Sequence, residues 1–131
     1  MTDLAACINE QSIERLVLRF YERVREDPIL GPIFDTRIED WDAHLKTMIE
    51  FWSSVMLKTG RFRGRPMEKH QQLVGIEPHH FELWLALFRE NAEDLFPPQI
   101  AAEFVNRANL IAASLSRGMF RNAAISNAVS A

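Results

Sequence analysis

The chain has 131 residues, which favours a single compact domain on typical domain size. Its 47% hydrophobic and 25% charged residues match an ordinary globular protein and argue against disorder or a fibrous architecture. A formal net charge of -3, without a run of Lys and Arg, argues against nucleic acid or an anionic membrane as a partner.

Cysteine usage and the N-terminal sequence predict a cytoplasmic protein. Cys7 is the single cysteine, which excludes an internal disulfide and a cysteine-rich zinc site. Residues 1–10 lack the basic start and the apolar stretch of a secretory signal. No apolar run approaches the length of a membrane span, so we expect neither export nor a membrane anchor.

The first predicted element is a long helix followed by a corner. Pro28 should end the helix, because the residue before a proline is pushed out of the helical conformation, and Pro32 adds a second break. Ile33 and Phe34 then anchor the corner. The helix is indicated by apolar residues at helical offsets: Ile13, Leu16, Val17, Phe20, Tyr21 and Val24.

A second helix and a basic loop come next. His44 lies inside the apolar face of this helix. Residues 58–66 carry two glycines and several cations, which is typical of a loop, and Pro66 can start a short helix that includes His70. The pattern of the second helix is Trp41, His44, Leu45, Met48, Trp52, Val55 and Met56, widened by Phe51.

Two more helices complete the chain, and no segment has the period-two pattern of a strand. The sequence therefore predicts an all-α domain over residues 1–131, with loose ends at 1–11 and 122–131. The third helix is indicated by Phe81, Trp84, Leu85, Phe88 and Leu95, and the fourth by Ile100, Phe104, Ala108, Ile111, Leu115 and Met119.

The four histidines are the first candidates for chemistry. His79 and His80 follow Pro78 at a helix start, and neighbouring helical residues point about 100° apart, so capping or solvent exposure is their expected role. His44 and His70 lie within or beside apolar patterns, where a hydrogen-bonded core histidine is commoner than a metal ligand. Position alone leaves both roles open for them.

A haem site demands little from sequence: one imidazole, a broad apolar slot and cations for two propionates. Aromatic residues at helical spacing are more often plain core, and a basic loop is more often only solvated. The spacing of the aromatic residues therefore does not distinguish a haem-binding protein from a cofactor-free helical interaction module. The candidate walls are Phe20, Phe34, Phe51, Trp52, Phe62, Phe81, Trp84 and Phe88, and the candidate cations are Arg61, Arg63, Arg65 and Lys69.

From about Ser12 to Ala112 the chain resembles the group III truncated haemoglobins. Residues 20–34 resemble the Phe-Tyr helix of that family and the Leu-Gly-Pro-Ile-Phe corner that follows it. Residues 41–52, 64–70 and 81–88 follow the family pattern in the same order. Each segment alone is a weak signal, and their order is specific.

The resemblance implies a two-over-two helical sandwich around haem b, with His70 as the proximal iron ligand. It further implies that Tyr21, His44 and Trp84 lie on the distal side, where the hydroxyl and indole hydrogens would stabilise a bound diatomic ligand. His44 could donate to the ligand, bind the iron or act as a gate, and we favour the gate. The pocket lining implied is Phe34, Met48, Phe51 and Trp52, and the cations expected near the propionates are Arg61 and Lys69.

These features predict a monomeric, cytoplasmic haem protein that binds oxygen reversibly. Nitric oxide dioxygenation and peroxide chemistry are the enzymatic versions of this function. Either would need an electron-donating reductase as a partner, because the chain has no reductase domain of its own.

Overall fold

The computed structural model describes residues 8–62, 64 and 75–130, with side chains described as far as Phe120. Every regular element within these residues is a helix, which confirms the all-α prediction. The elements are α1 (Glu10–Glu26), α2 (Leu30–Arg37), α3 (Trp41–Leu57), α4 (Pro78–Leu95) and α5 (Pro98–Ser130).

Helix α1 begins at a reciprocal cap. The Oδ1 atom of Asn9 accepts from the backbone N–H of Ser12 at 2.9 Å, and Oγ of Ser12 accepts from the backbone N–H of Asn9 at 2.9 Å. These bonds satisfy donors that a helix start otherwise leaves open. The apolar face predicted from the spacing is the buried face, through Ile13, Leu16, Val17, Phe20, Tyr21 and Val24.

The corner after α1 depends on Asp27 and Gly31. Oδ1 of Asp27 accepts from the backbone N–H groups of Ile29 and Leu30 at 2.9 and 2.8 Å, which caps the start of α2. A Cβ on Gly31 would lie 2.7 Å from the backbone oxygen of Arg25, a distance that side chains do not adopt. Glycine therefore allows α2 to fold closely against the end of α1.

The helices form two pairs, α1 with α3 and α4 with α5, and the pairs meet mainly where α1 packs on α4. Phe20, Phe88 and Phe104 are the largest fully buried side chains at this junction. Asn91 is also fully buried, and its Nδ2 donates to the backbone oxygen of Leu16 at 3.0 Å, so one hydrogen bond ties α4 to α1 inside the core.

The structure differs from the sequence-based expectation at both ends. α1 begins at Glu10, within the segment predicted to be loose, and α5 continues to Ser130 where a loose tail was expected. The short helix predicted from Pro66, together with Lys69 and His70, lies outside the described residues. Within the described part of the chain, no helix has both the length and the hydropathy to cross a bilayer.

Candidate functional site

A cavity of about 480 Å³ lies between the helices, and each of the five helices of the described residues contributes to its wall. Most of the lining is aliphatic or aromatic, and a few polar side chains are placed among these. The lining residues are Tyr21, Leu30, Ile33, Phe34, Arg37, Ile38, Ala43, His44, Thr47, Met48, Phe51, Trp52, Phe62, Ile76, His80, Phe81, Trp84, Ile111, Ala112 and Leu115.

Tyr21 is the polar group that α1 directs into this cavity. The side chain is only 6% exposed, and burial raises the pKa of its hydroxyl well above the ordinary value of 10.0. The phenol therefore stays protonated throughout the physiological pH range and keeps its O–H as a hydrogen-bond donor. Phe34 and Trp41 pack edge-on against the Tyr21 ring, each with a centroid distance of 5.9 Å.

His44 enters the cavity from the first turn of α3. Asp40 caps this helix start by accepting from the backbone N–H of Ala43 at 3.1 Å. The imidazole meets the Tyr21 ring edge to face at 5.2 Å and the Trp41 ring at 5.9 Å, and its Nε2 atom is buried. These contacts place a second polar side chain directly beside the tyrosine.

Trp41 is held in place from the protein surface. Its Nε1 donates to Oδ1 of Asp35 at 3.1 Å, and the Arg25 guanidinium lies 4.4 Å from the centre of its ring. Nε of Arg25 also lies 3.4 Å from Oδ1 of Asp35. This cluster joins α1, α2 and α3 behind the Tyr21 and His44 rings.

Trp84 lies on the wall formed by α4, and an aromatic stack fixes its orientation. Its indole is stacked on Phe88 at 5.3 Å, and Trp52 is stacked on the same Phe88 ring at 5.0 Å. Phe20 packs edge-on against the Trp84 ring, with a centroid distance of 5.3 Å. The indole N–H, which can only donate, is thereby attached to a rigid support.

Of the other side chains named as candidate walls, Phe34, Phe51, Trp52, Phe62 and Phe81 line the cavity, whereas Phe20 and Phe88 are buried in the core and are absent from its described lining. Phe34 comes from α2, and Met48, Phe51 and Trp52 come from successive turns of α3. Phe51 packs edge-on against Phe62 at 5.0 Å, so the residue after the predicted loop cation Arg61 reaches the cavity although α3 has ended. Together these side chains form the broad apolar slot expected from the sequence.

Arg61 has a different environment from the one the sequence suggested. Its guanidinium bonds Glu10 at 2.5 Å and Oγ of Ser53 at 2.7 Å, and it is absent from the described lining of the cavity. Ser53 in turn donates to Glu10 at 2.9 Å. Arg61 thus ties the end of α3 to the start of α1, and its predicted contact with a propionate stays a prediction.

Three polar residues that sequence reasoning did not select for the site are in the described lining of the cavity, namely Arg37, Thr47 and His80. His80 also has the predicted capping role, since its Nδ1 accepts from the backbone N–H of Glu77 at 2.9 Å. Arg37 ends α2 one turn after Phe34, in a helix too short for its sequence pattern to show which side chains face the cavity. The predicted metal ligand His70 and the predicted cation Lys69 lie outside the described residues.

Comparison with known proteins identifies the fold and the family. The family of bacterial-like globins matches residues 7–110. A group 3 truncated hemoglobin of Campylobacter jejuni is 34% identical over 118 residues, which cover 87% of this chain and 93% of that protein. The crystal structure of a group III truncated hemoglobin from Campylobacter jejuni aligns with a TM-score of 0.83 and 34% identity, over 88% of this chain and 94% of the other. The chain therefore belongs to the bacterial-like globins, as a haem-binding truncated haemoglobin of group III.

Proposed function

We propose that the cavity holds haem b, that His70 would be the protein ligand to its iron, and that the pocket binds dioxygen and other diatomic ligands reversibly. The observation that carries this proposal is that two hydrogen-bond donors, the Tyr21 hydroxyl and the Trp84 indole N–H, belong to residues that line the same apolar cavity. A third polar side chain, His44, lies in ring contact with Tyr21.

The residues present fit a flat, apolar cofactor with a charged edge. The cavity volume of about 480 Å³ lies within the range of roughly 300 to 1,000 Å³ that cofactor sites occupy. Phe34, Phe51 and Trp52 supply planar apolar walls, and Met48 adds an adaptable side chain between them. Arg37, at an exposed position on the rim, offers a cation toward acidic substituents.

Haem would supply the iron at which a diatomic ligand binds. The Tyr21 hydroxyl, which its raised pKa keeps protonated at neutral pH, would donate a hydrogen bond to such a ligand. Trp84 donates from another wall, with its ring fixed by the stack on Phe88. Dioxygen gains more from these donors than carbon monoxide does, because it carries more negative charge when bound. Because these hydrogen bonds would hold dioxygen in the pocket, we expect its release to be slow.

His44 controls access in this proposal. The residue is partly exposed at the start of α3, and its ring contacts both Trp41 and Tyr21. Rotation of the side chain away from Tyr21 would open a path for a small ligand. The same imidazole could instead donate to the ligand, and the ligand association rate separates the two roles because only a gate limits entry.

Nitric oxide dioxygenation is the enzymatic version of this function. Nitric oxide dioxygenation converts nitric oxide and dioxygen to nitrate and consumes one electron, which a ferrous haem in the cavity would supply. Repeated cycles therefore need an electron-donating reductase as a partner. Rapid mixing of the oxygenated protein with nitric oxide, followed by addition of cell extract, tests this: recovery of the ferrous spectrum is expected of the enzyme, and a permanently ferric product contradicts it.

Absorption spectroscopy tests the proposed function as a whole. Protein purified from iron-replete cells should show a Soret band, a pyridine haemochromogen spectrum of haem b, and a reversible change on binding carbon monoxide. Protein that is colourless and does not take up added haemin would contradict the proposal and favour a cofactor-free helical interaction module.

A further inference from the structure

Arg37 and the segment that follows Gly75 form one polar edge of the otherwise apolar cavity. Arg37 is the single Lys or Arg in the described lining of the cavity, and His80 lines the same space. Ile76, which lies between Gly75 and His80 in the chain, is also part of the wall. The cavity therefore has a charged side, contributed by the end of α2 and by the approach to α4.

The guanidinium of Arg37 is oriented toward this segment. Its Nη1 donates to the backbone oxygen of Ile33 at 3.0 Å and contacts Oγ1 of Thr36 at 3.3 Å, so this nitrogen is turned toward its own helix. Its Nη2 points the other way, since a Cβ on Gly75 would lie 3.7 Å from that atom. The guanidinium thus spans the gap between α2 and the residues that lead into α4.

His80 presents a donor from the other side of this gap. Its Nδ1 accepts from the backbone N–H of Glu77 at 2.9 Å, so the neutral ring carries its proton on Nε2. Pro78 begins α4 at this point and fixes the position of the ring relative to the helix. Arg37 and His80 both line the cavity, so a carboxylate at this edge would have a guanidinium and an imidazole as donors, and both suit an anionic oxygen.

We infer that Arg37 and His80 bind the propionate carboxylates of the haem and so define the edge of the tetrapyrrole that faces solvent. This inference rests on the proposed function, because it requires haem in the cavity. Arg37 is exposed, which suits carboxylates that remain partly hydrated. Arg61 is absent from the described lining of the cavity, and its guanidinium bonds Glu10 and Ser53 at the junction of α1 and α3.

Haemin retention with two forms of the cofactor tests the inference. Ferric holoprotein is mixed with an excess of an apomyoglobin acceptor, and the rate of haemin transfer is measured for the wild type, Arg37→Ala, Arg37→Lys and His80→Ala. Arg19→Ala, an exposed arginine paired with Glu22 on α1, is the matched control. The same set is then reconstituted with haemin dimethyl ester, whose side chains carry no charge.

With natural haemin, Arg37→Ala should lose the cofactor on the order of 3-fold to 10-fold faster than the wild type, since an exposed ion pair contributes modestly. His80→Ala should lose it about 2-fold to 3-fold faster, Arg37→Lys should lie between the wild type and Arg37→Ala, and Arg19→Ala should match the wild type. With the dimethyl ester, the difference between Arg37→Ala and the wild type should vanish.

Three results would overturn the inference. Equal loss of natural haemin from Arg37→Ala and the wild type would show that the arginine holds no propionate. An undiminished difference with the dimethyl ester would show that Arg37 acts only through the shape of the protein. A wild-type protein that binds no haemin would overturn the proposed function, and this inference with it.

Discussion

Tyr21 on α1 and His44 on α3 meet edge to face, with ring centroids 5.2 Å apart and planes at 87°. Helices α1 and α3 each have their own N-terminal cap and apolar face. The contact between them places two polar side chains next to each other in the wall of one cavity. Ligand chemistry in this pocket therefore depends on how α1 and α3 are held together, and on the Trp41 cluster behind them.

Tyr21→Phe should release dioxygen faster by about 10-fold or more, since a hydrogen bond to a charged acceptor contributes roughly 1.5 to 3 kcal/mol. The phenyl ring keeps the contacts with Phe34, Trp41 and His44, so the change removes one hydroxyl and little else. Stopped-flow measurement of dioxygen dissociation checks the prediction. Carbon monoxide dissociation from the same variant is the internal control and should change little. An unchanged dioxygen rate would exclude Tyr21 as the donor.

Trp84→Phe should also speed dioxygen release, by about 3-fold to 10-fold, because it removes the indole N–H and keeps a ring that can stack on Phe88. Combining it with Tyr21→Phe tests whether both donors act on the same ligand. Coupled donors give a double variant whose rate differs from the product of the two single effects. Dissociation from Trp84→Phe at the wild-type rate would mean that the indole only supports the wall.

Tyr21 is the single tyrosine, so its ionisation can be followed without interference from other phenols. Because burial raises its pKa above 10.0, tyrosinate absorbance near 295 nm should not rise at the pH where a free tyrosine ionises. The unfolded chain then releases a proton that the folded one retains. Stability should therefore be unaffected by this group below about pH 10 and should fall as the pH rises above it. Reversible titration near pH 10 in folded protein would contradict the assigned burial.

Gly31→Ala should destabilise the fold by about 1 to 3 kcal/mol, because the new Cβ would lie 2.7 Å from the backbone oxygen of Arg25. Urea unfolding measures this loss. Gly64→Ala is a matched control, since its Cβ would also lie 2.7 Å from another atom, but that atom is the tip of the Phe62 side chain. A side chain can rotate where a helix backbone cannot, so the control should lose less. Equal losses would argue against a backbone clash at Gly31.

Much of the site could be predicted from the sequence because it follows helical periodicity. The buried face of α1 is the face predicted by spacing, and Tyr21 lies on it; His44 and Trp52 belong to the pattern of α3 in the same way. The end of α1 before Pro28 also follows from a local backbone preference, whereas Pro32, which was expected to add a second break, lies in the first turn of α2, where a proline is tolerated. The features that were predicted correctly depend on residues only a few positions apart in the sequence.

Other parts of the site depend on contacts between distant segments. Arg61 has a partner, Glu10, that precedes it by 51 residues, and no local pattern indicates that pairing. His79 and His80 are chemically equivalent in the sequence, and only the packing of α4 directs His80 toward the cavity. Arg37 ends a short helix with too few turns to show which face is apolar. The pairing of Arg61 and the positions of His80 and Arg37 at the cavity therefore depend on tertiary structure.

The central claim is that His70 binds the iron of a haem held in this cavity. Resonance Raman spectroscopy of the ferrous, ligand-free protein measures the iron–histidine bond directly, with His70→Gly and the exposed His79→Ala compared with the wild type. An iron–histidine mode should be present in the wild type and in His79→Ala, absent from His70→Gly, and replaced by an iron–imidazole mode when imidazole is added to that variant. An unaltered mode in His70→Gly would contradict the claim.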